Sequence, residues 1–143
     1  MTTTVHATDL QPTVPSSPLS TRDLVRRGAR AGAIAAVCTT IVAAIASAAG
    51  VSLEVDGTAI PIPAFAWWTL IGAALGVVLA RLLRHRRRFV IVTIAAVGLS
   101  LLPAIAGADD TATTAVLVAN HLLAAGIIIP TLRQPLLAGD DDR

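Results

Sequence analysis

The segment Arg81-Leu82-Leu83-Arg84-His85-Arg86-Arg87-Arg88 constrains the fold more than any other. It holds five arginines in eight residues, and long apolar runs lie on both sides of it. Charges at that density do not enter hydrocarbon. Short basic loops are kept on the cytoplasmic side during insertion. Once this loop is placed, every flanking segment acquires a side.

The flanking runs are near 20 residues long, the length that crosses a bilayer. Hydrophobic residues make up 55% of the 143-residue chain and charged residues 14%. A soluble domain carries about 25% charged residues. Mean hydropathy is +0.75. The expected fold class is all-α: a membrane four-helix bundle with a short extended or hairpin outer loop between helices 1 and 2. The spans are expected at about 31–51, 64–83, 89–108 and 112–132. Residues 1–21, rich in Thr, Ser and Pro, read as a disordered cytoplasmic tail. Residues 22–133 form the transmembrane domain, and 134–143 a second cytoplasmic tail. Ser20 or Thr21 is suited to cap the first helix, with Asp23 in its first turn.

Charge distribution supports this topology. All eleven basic residues are Arg, at 22, 26, 27, 30, 81, 84, 86, 87, 88, 133 and 143. The two expected outer loops contain Glu54, Asp56, Asp109 and Asp110 and no Arg. Both termini are therefore expected in the cytoplasm, with the protein in the plasma (inner) membrane. Beside apolar spans, the arginines read as orientation signals and lipid-headgroup contacts, so the partner is the bilayer and not nucleic acid. The Arg-rich flank, the apolar run and Ala46-Ser47-Ala48 also mimic a cleavable signal. The long leader and the spanning length of the run favour a retained helix. The single Cys38 excludes an intramolecular disulfide and reads as a small buried hydrophobe.

Within the outer loop, Leu53 and Val55 alternate with Glu54 and Asp56, and Asp56-Gly57 is a two-residue hairpin signal. Trp67 and Trp68 stand near the start of span two, where such rings anchor at the headgroup level. Gly72 and Gly76 form a GxxxG match that permits close approach of another helix. Stripes of small residues run down each span. They comprise Gly32, Ala36, Thr40, Ala43 and Ser47 on the first, and Thr69, Gly72, Gly76 and Ala80 on the second. Thr93, Ala96, Ser100 and Gly107 mark the third, and Ala112, Ala115, Ala119 and Gly126 the fourth. These faces are expected to make the helix contacts.

One polar constellation lies inside the spans. His121 and Asn120 are about 15 Å along the fourth helix, with Thr39, Thr40 and Ser100 at similar depth. An intramembrane ionisable residue marks a candidate site. His121 then reads either as a proton-relay or ligand-contacting group, or as a neutral imidazole fixing helix register. Metal binding needs more ligands than one His. Nucleophilic catalysis needs a Ser–His–carboxylate set that the spans lack. No cofactor, metal or catalytic residue is expected.

The order of features resembles a family of small actinobacterial four-helix membrane proteins known only as a domain of unknown function. The resemblance is carried by LEVDG…IPIP (53–63), RLLRHRRRF (81–89), SLLP (100–103) and HLLAAGIIIP (121–130). It covers about residues 28–133. The resemblance implies a plasma-membrane location and transfers no catalytic residues.

The sequence reading is a multi-pass inner-membrane protein without enzymatic activity, acting as a structural or interaction component. It would work as a homo-oligomer or with a membrane-protein partner. The alternative is a small transporter or channel subunit using the His121, Asn120, Thr39, Thr40 and Ser100 site.

Overall fold

The computed structural model describes residues 20–83 and 85–137. Four helices and one small hairpin account for them: α1 (Thr21–Ala48), β1 (Glu54–Val55), β2 (Thr58–Ala59), α2 (Ile62–Leu82), α3 (Arg86–Ala106) and α4 (Thr111–Leu137). All four helices are long and apolar enough to cross a membrane. The expected tail over 1–21 falls outside the described residues except at Ser20 and Thr21. Thr21 is already helical, and Ser20 caps α1 by accepting from the Arg22 N–H at 3.2 Å. The bundle has an arginine end, at the α2–α3 link, and a hairpin end opposite it.

The helices succeed one another around the bundle in the order α2, α1, α4, α3. The ring does not close: α2 and α3 meet over only a short stretch. Residues 83–85 alone join them at the arginine end. The tight seam lies between α1 and α2. A Cβ on Gly28 would lie 2.1 Å from Val77 Cγ2, and one on Gly32 would lie 2.7 Å from the Ala73 Cβ. Only glycine admits α2 at these positions. Without a hydrophobic force between helices in lipid, close approach of this kind is what holds them together.

The GxxxG match at Gly72 and Gly76 behaves differently from expectation. A Cβ on Gly76 would lie 3.1 Å from Leu132 Cδ1 and 3.4 Å from Ile128 Cγ2, so this glycine accepts side chains of α4. A Cβ on Gly72 would have nothing within 4 Å, so this glycine faces open space. The working glycine pair is Gly28 and Gly32 on α1. The stripe expected on the fourth span is also turned outward: Ala112, Ala115, Ala119 and Gly126 are all exposed. Instead α4 buries Thr113, Leu117, Asn120, Ile128 and Leu132. The reason is complementarity, since α1 and α2 supply the hollows at Gly28 and Gly76 that Leu132 fills. On α3, Thr93 is buried but Ala96 and Ser100 are exposed. On α1, Gly32, Ala36 and Ala43 are buried while Ser47 is exposed.

The Asp56-Gly57 turn forms as its chemistry dictates, with φ of 51° and 70°. Residues Glu54 and Val55 pair antiparallel with Ala59 and Thr58. The hairpin is tied to the α3–α4 turn. Asp56 N–H donates to Gly107 O at 2.9 Å, Asp109 N–H to Glu54 O at 3.2 Å, and Gly57 N–H to Asp109 Oδ2 at 2.8 Å. Leu53 is 2% exposed and adopts φ +53°, a conformation disfavoured for a branched side chain. Its burial beside Ala43, Ala46, Phe65 and Leu117 offsets that strain. Its N–H donates to Thr113 Oγ1 at 3.1 Å. Leu53 thus plugs the hairpin end of the bundle.

α4 is capped by Asp110, whose Oδ1 accepts from Thr113 N–H at 2.8 Å. The same carboxylate accepts from the hydroxyls of Ser52 and Thr113, both at 2.7 Å. These bonds, the Ser52 hydroxyl first, hold the Asp110 carboxyl down at about 2 from 3.8. The fourth span was expected to end near 132. The helix instead continues through Pro130 and Pro135 to Leu137, and residues 138–143 lie outside the described residues. Pro103 likewise sits inside α3, which runs on to Ala106.

Candidate functional site

Where α2 and α3 part, a cleft of about 890 Å³ opens on the side of the bundle. Its walls are Ile71, Gly72, Leu75 and Leu79 of α2 and Thr93, Ala96, Val97 and Ser100 of α3. The back wall is α4, from Leu117 to Leu132, with Thr39 of α1 reaching in. At the hairpin end Val55, Ile60 and Phe65 border it, and at the arginine end Phe89 and Leu132 do so. The lining is almost wholly apolar, as an intramembrane surface must be.

Two buried apolar clusters flank a polar level. One gathers Ala31, Ala35, Ala80, Phe89, Ile128 and Leu132 toward the arginine end. The other gathers around Leu53 toward the hairpin end. Between them sit Thr39, Thr69, Asn120 and His121. Asn120 is nine residues into α4 and Thr39 nine residues before the end of α1, so both lie about 13 Å below the hairpin end.

Thr39 and Thr69 are hydrogen-bonded across the α1–α2 seam at 3.0 Å, and the Thr39 hydroxyl also lies 3.2 Å from Ala36 O. His121 was expected either to fix register between helices or to act on a ligand. Its Nδ1 lies 2.8 Å from Leu117 O, one turn back on its own helix. The interhelical register bond is therefore made by the two threonines, not by His121. A carbonyl only accepts, so Nδ1 carries the hydrogen, and in the neutral ring Nε2 is an acceptor. His121 is half-buried and borders the cleft.

Asn120 is the exception in this belt. It is 5% exposed, it borders the cleft, and neither Nδ2 nor Oδ1 has a hydrogen-bond partner. Leaving a buried polar group unpaired costs about 1–3 kcal/mol. Such a group in a native interior calls for an explanation, which a ligand or an ordered water supplies.

Of the expected site residues, the cleft brings together Asn120, His121, Thr39 and Ser100. Ser100 is exposed and donates to Val97 O at 2.8 Å. Thr40 does not join them. Its hydroxyl donates to Ala36 O at 2.7 Å, and the helical turn of 100° that brings Thr39 to the cleft carries Thr40 past it. Thr69 and Thr93 line the cleft as well, although their spacing placed them on packing stripes. Thr93 donates to Phe89 O at 2.7 Å. Trp68 borders the cleft and Trp67 does not; both are largely exposed within the first two turns of α2. In the basic loop Arg86, Arg87 and Arg88 are exposed, Arg81 donates to the Thr21 hydroxyl, and Arg84 lies outside the described residues.

No curated protein and no solved structure matches the chain. Four membrane-length helices and the match over residues 19–138 agree: the chain belongs to a family of unknown function, DUF6069.

Proposed function

We propose that this protein is a non-catalytic component of the plasma membrane that works by binding sideways, within the bilayer, through the cleft between α2 and α3. The observation that carries the reading is the unclosed ring. The cleft opens on its flank and runs between the hairpin at one end and the short α2–α3 link at the other, which favours entry from lipid over a through-path for ions or water. Its polar groups are too few for a relay, which uses several ionisable residues. Both termini are read as cytoplasmic from the arginine distribution, which places the hairpin outside.

Accessibility of position 121 tests this. In a Cys38→Ala background, His121→Cys should resist a membrane-impermeant maleimide from either side in intact membranes and react once the protein is denatured. Rapid labelling from water would contradict the reading and support a small transporter or channel subunit instead.

A further inference from the structure

We infer that the cleft binds a membrane-dissolved amphiphile whose chain carries, near the bilayer midplane, a hydroxyl or amide that pairs with Asn120. The inference rests on the lateral-binding reading above and names what is bound.

The shape of the cleft selects the kind of occupant. A membrane-spanning helix must leave at both ends. This cleft runs into the hairpin, beside Val55 and Ile60, at one end and into the short α2–α3 link, beside Phe89 and Leu132, at the other. The hairpin is fastened to the α3–α4 turn by three hydrogen bonds, so it is held in place. A flexible chain entering between α2 and α3 meets no such bar. Gly72 offers it open space, with nothing within 4 Å of where a Cβ would lie. A volume of about 890 Å³ also falls in the range of small-molecule sites, about 300–1,000 Å³.

Asn120 selects the chemistry. Its side chain has both a donor, Nδ2, and an acceptor, Oδ1, without partners. A hydroxyl or an amide satisfies both, since each donates and accepts. A ketone or quinone oxygen only accepts and would satisfy one. Depth narrows the class further. Asn120 lies about 13 Å below the hairpin end of α4, and half of a 30 Å hydrocarbon core is about 15 Å. The ester groups of an ordinary phospholipid stay at the interface. Its chains would fill the cleft and leave the amide unpaired.

The probes are 12-hydroxystearate, whose hydroxyl lies two thirds of the way down its chain, and stearate, which is the same chain without it. Binding to the intact protein in detergent is read from Trp fluorescence, because Trp68 borders the cleft. The hydroxylated chain should bind about five- to tenfold tighter than stearate, the scale of one satisfied buried pair. Asn120→Leu should abolish that preference. Gly72→Phe, which adds a ring where a Cβ has nothing within 4 Å, should weaken both probes. Equal affinity of the two chains for the unmodified protein would overturn the inference, yet leave lateral binding intact. Persistence of the preference in Asn120→Leu would overturn it in the same way, since the hydroxyl then pairs with another group. A dimer that Gly72→Phe converts to monomer would overturn it in favour of a second copy of the chain. Aqueous labelling at position 121 would instead remove the reading on which the inference stands.

Discussion

Helix α2 has a neighbour on each side in the sequence and treats them oppositely. Against α1 it packs so closely that Gly28 and Gly32 have no room for a methyl group. Against α3 it barely touches, although residues 83–85 tie the two together at one end. Both faces are apolar, so hydrophobicity does not decide between them. In lipid it cannot, because a chain of Leu gains nothing by leaving one apolar neighbour for another. Shape decides. α1 presents glycines to the Ala73–Val77 ridge of α2. At the α2–α3 gap two wedges intervene, Ile128 and Leu132 of α4 toward the arginine end and the hairpin toward the other. Ala96 and Ser100 show that small residues permit contact without compelling it, since both are exposed on the cleft wall.

Substituting the glycines should separate the two regions most sharply. Gly28→Leu forces a branched side chain into Val77 and should cost about 2–3 kcal/mol or prevent folding, as overpacking does. Gly72→Leu enters open space and should change stability by less than about 0.5 kcal/mol. Thermal aggregation in detergent reads both. A loss at Gly72 as large as at Gly28 would mean that α2 and α3 close on each other.

Next in size is the roof that holds the cleft's hairpin end. Thr113→Val leaves the buried Leu53 N–H without its acceptor and should cost about 1–2 kcal/mol. The same corner gives a pH dependence. The Asp110 carboxyl is depressed from 3.8 to about 2 in the folded protein. Its contribution is therefore fully present above about pH 4 and is lost as pH falls through about 2. Melting should be insensitive to this group above pH 5 and drop between pH 4 and 2. Asp110→Asn should flatten that drop.

Smaller effects are expected at the polar level. Asn120→Leu removes an unpaired amide, so it should stabilise the ligand-free protein by about 1 kcal/mol. Destabilisation would show that Asn120 has found a partner within the bundle. His121→Leu breaks only a bond within its own helix and should cost no more than about 0.5 kcal/mol.

Much of this architecture was legible in the residues. Span length and the arginine loop give four helices. Asp56-Gly57 gives the hairpin because the turn demands positive φ that these residues tolerate. Ser20 gives the start of α1 because its hydroxyl satisfies a free N–H. What the residues did not reveal was which faces meet. Stripes of small residues recur by composition in helices this rich in Ala. Only the partner surface decides which stripe is used, and for α4 it was the opposite one, carrying Leu117, Ile128 and Leu132. Depth placed Asn120, His121, Thr39 and Ser100 together, because rise per residue is fixed. Depth could not tell Thr39 from Thr40, and it gave no sign that α2 and α3 stand apart, since that gap is a property of helix pairs.

Oxidative crosslinking in intact membranes tests that gap most directly. In a Cys38→Ala background, Thr39→Cys with Thr69→Cys replaces two hydroxyls that lie 3.0 Å apart across the α1–α2 seam. Gly72→Cys with Ala96→Cys places thiols on opposite walls of the cleft at equal depth, each ten residues from the hairpin end of its helix. A disulfide needs Cα atoms within about 7 Å. The seam pair should close under a membrane-permeant oxidant and the cleft pair should stay reduced. Crosslinking of the Gly72 and Ala96 pair as readily as the seam pair would contradict an open α2–α3 gap.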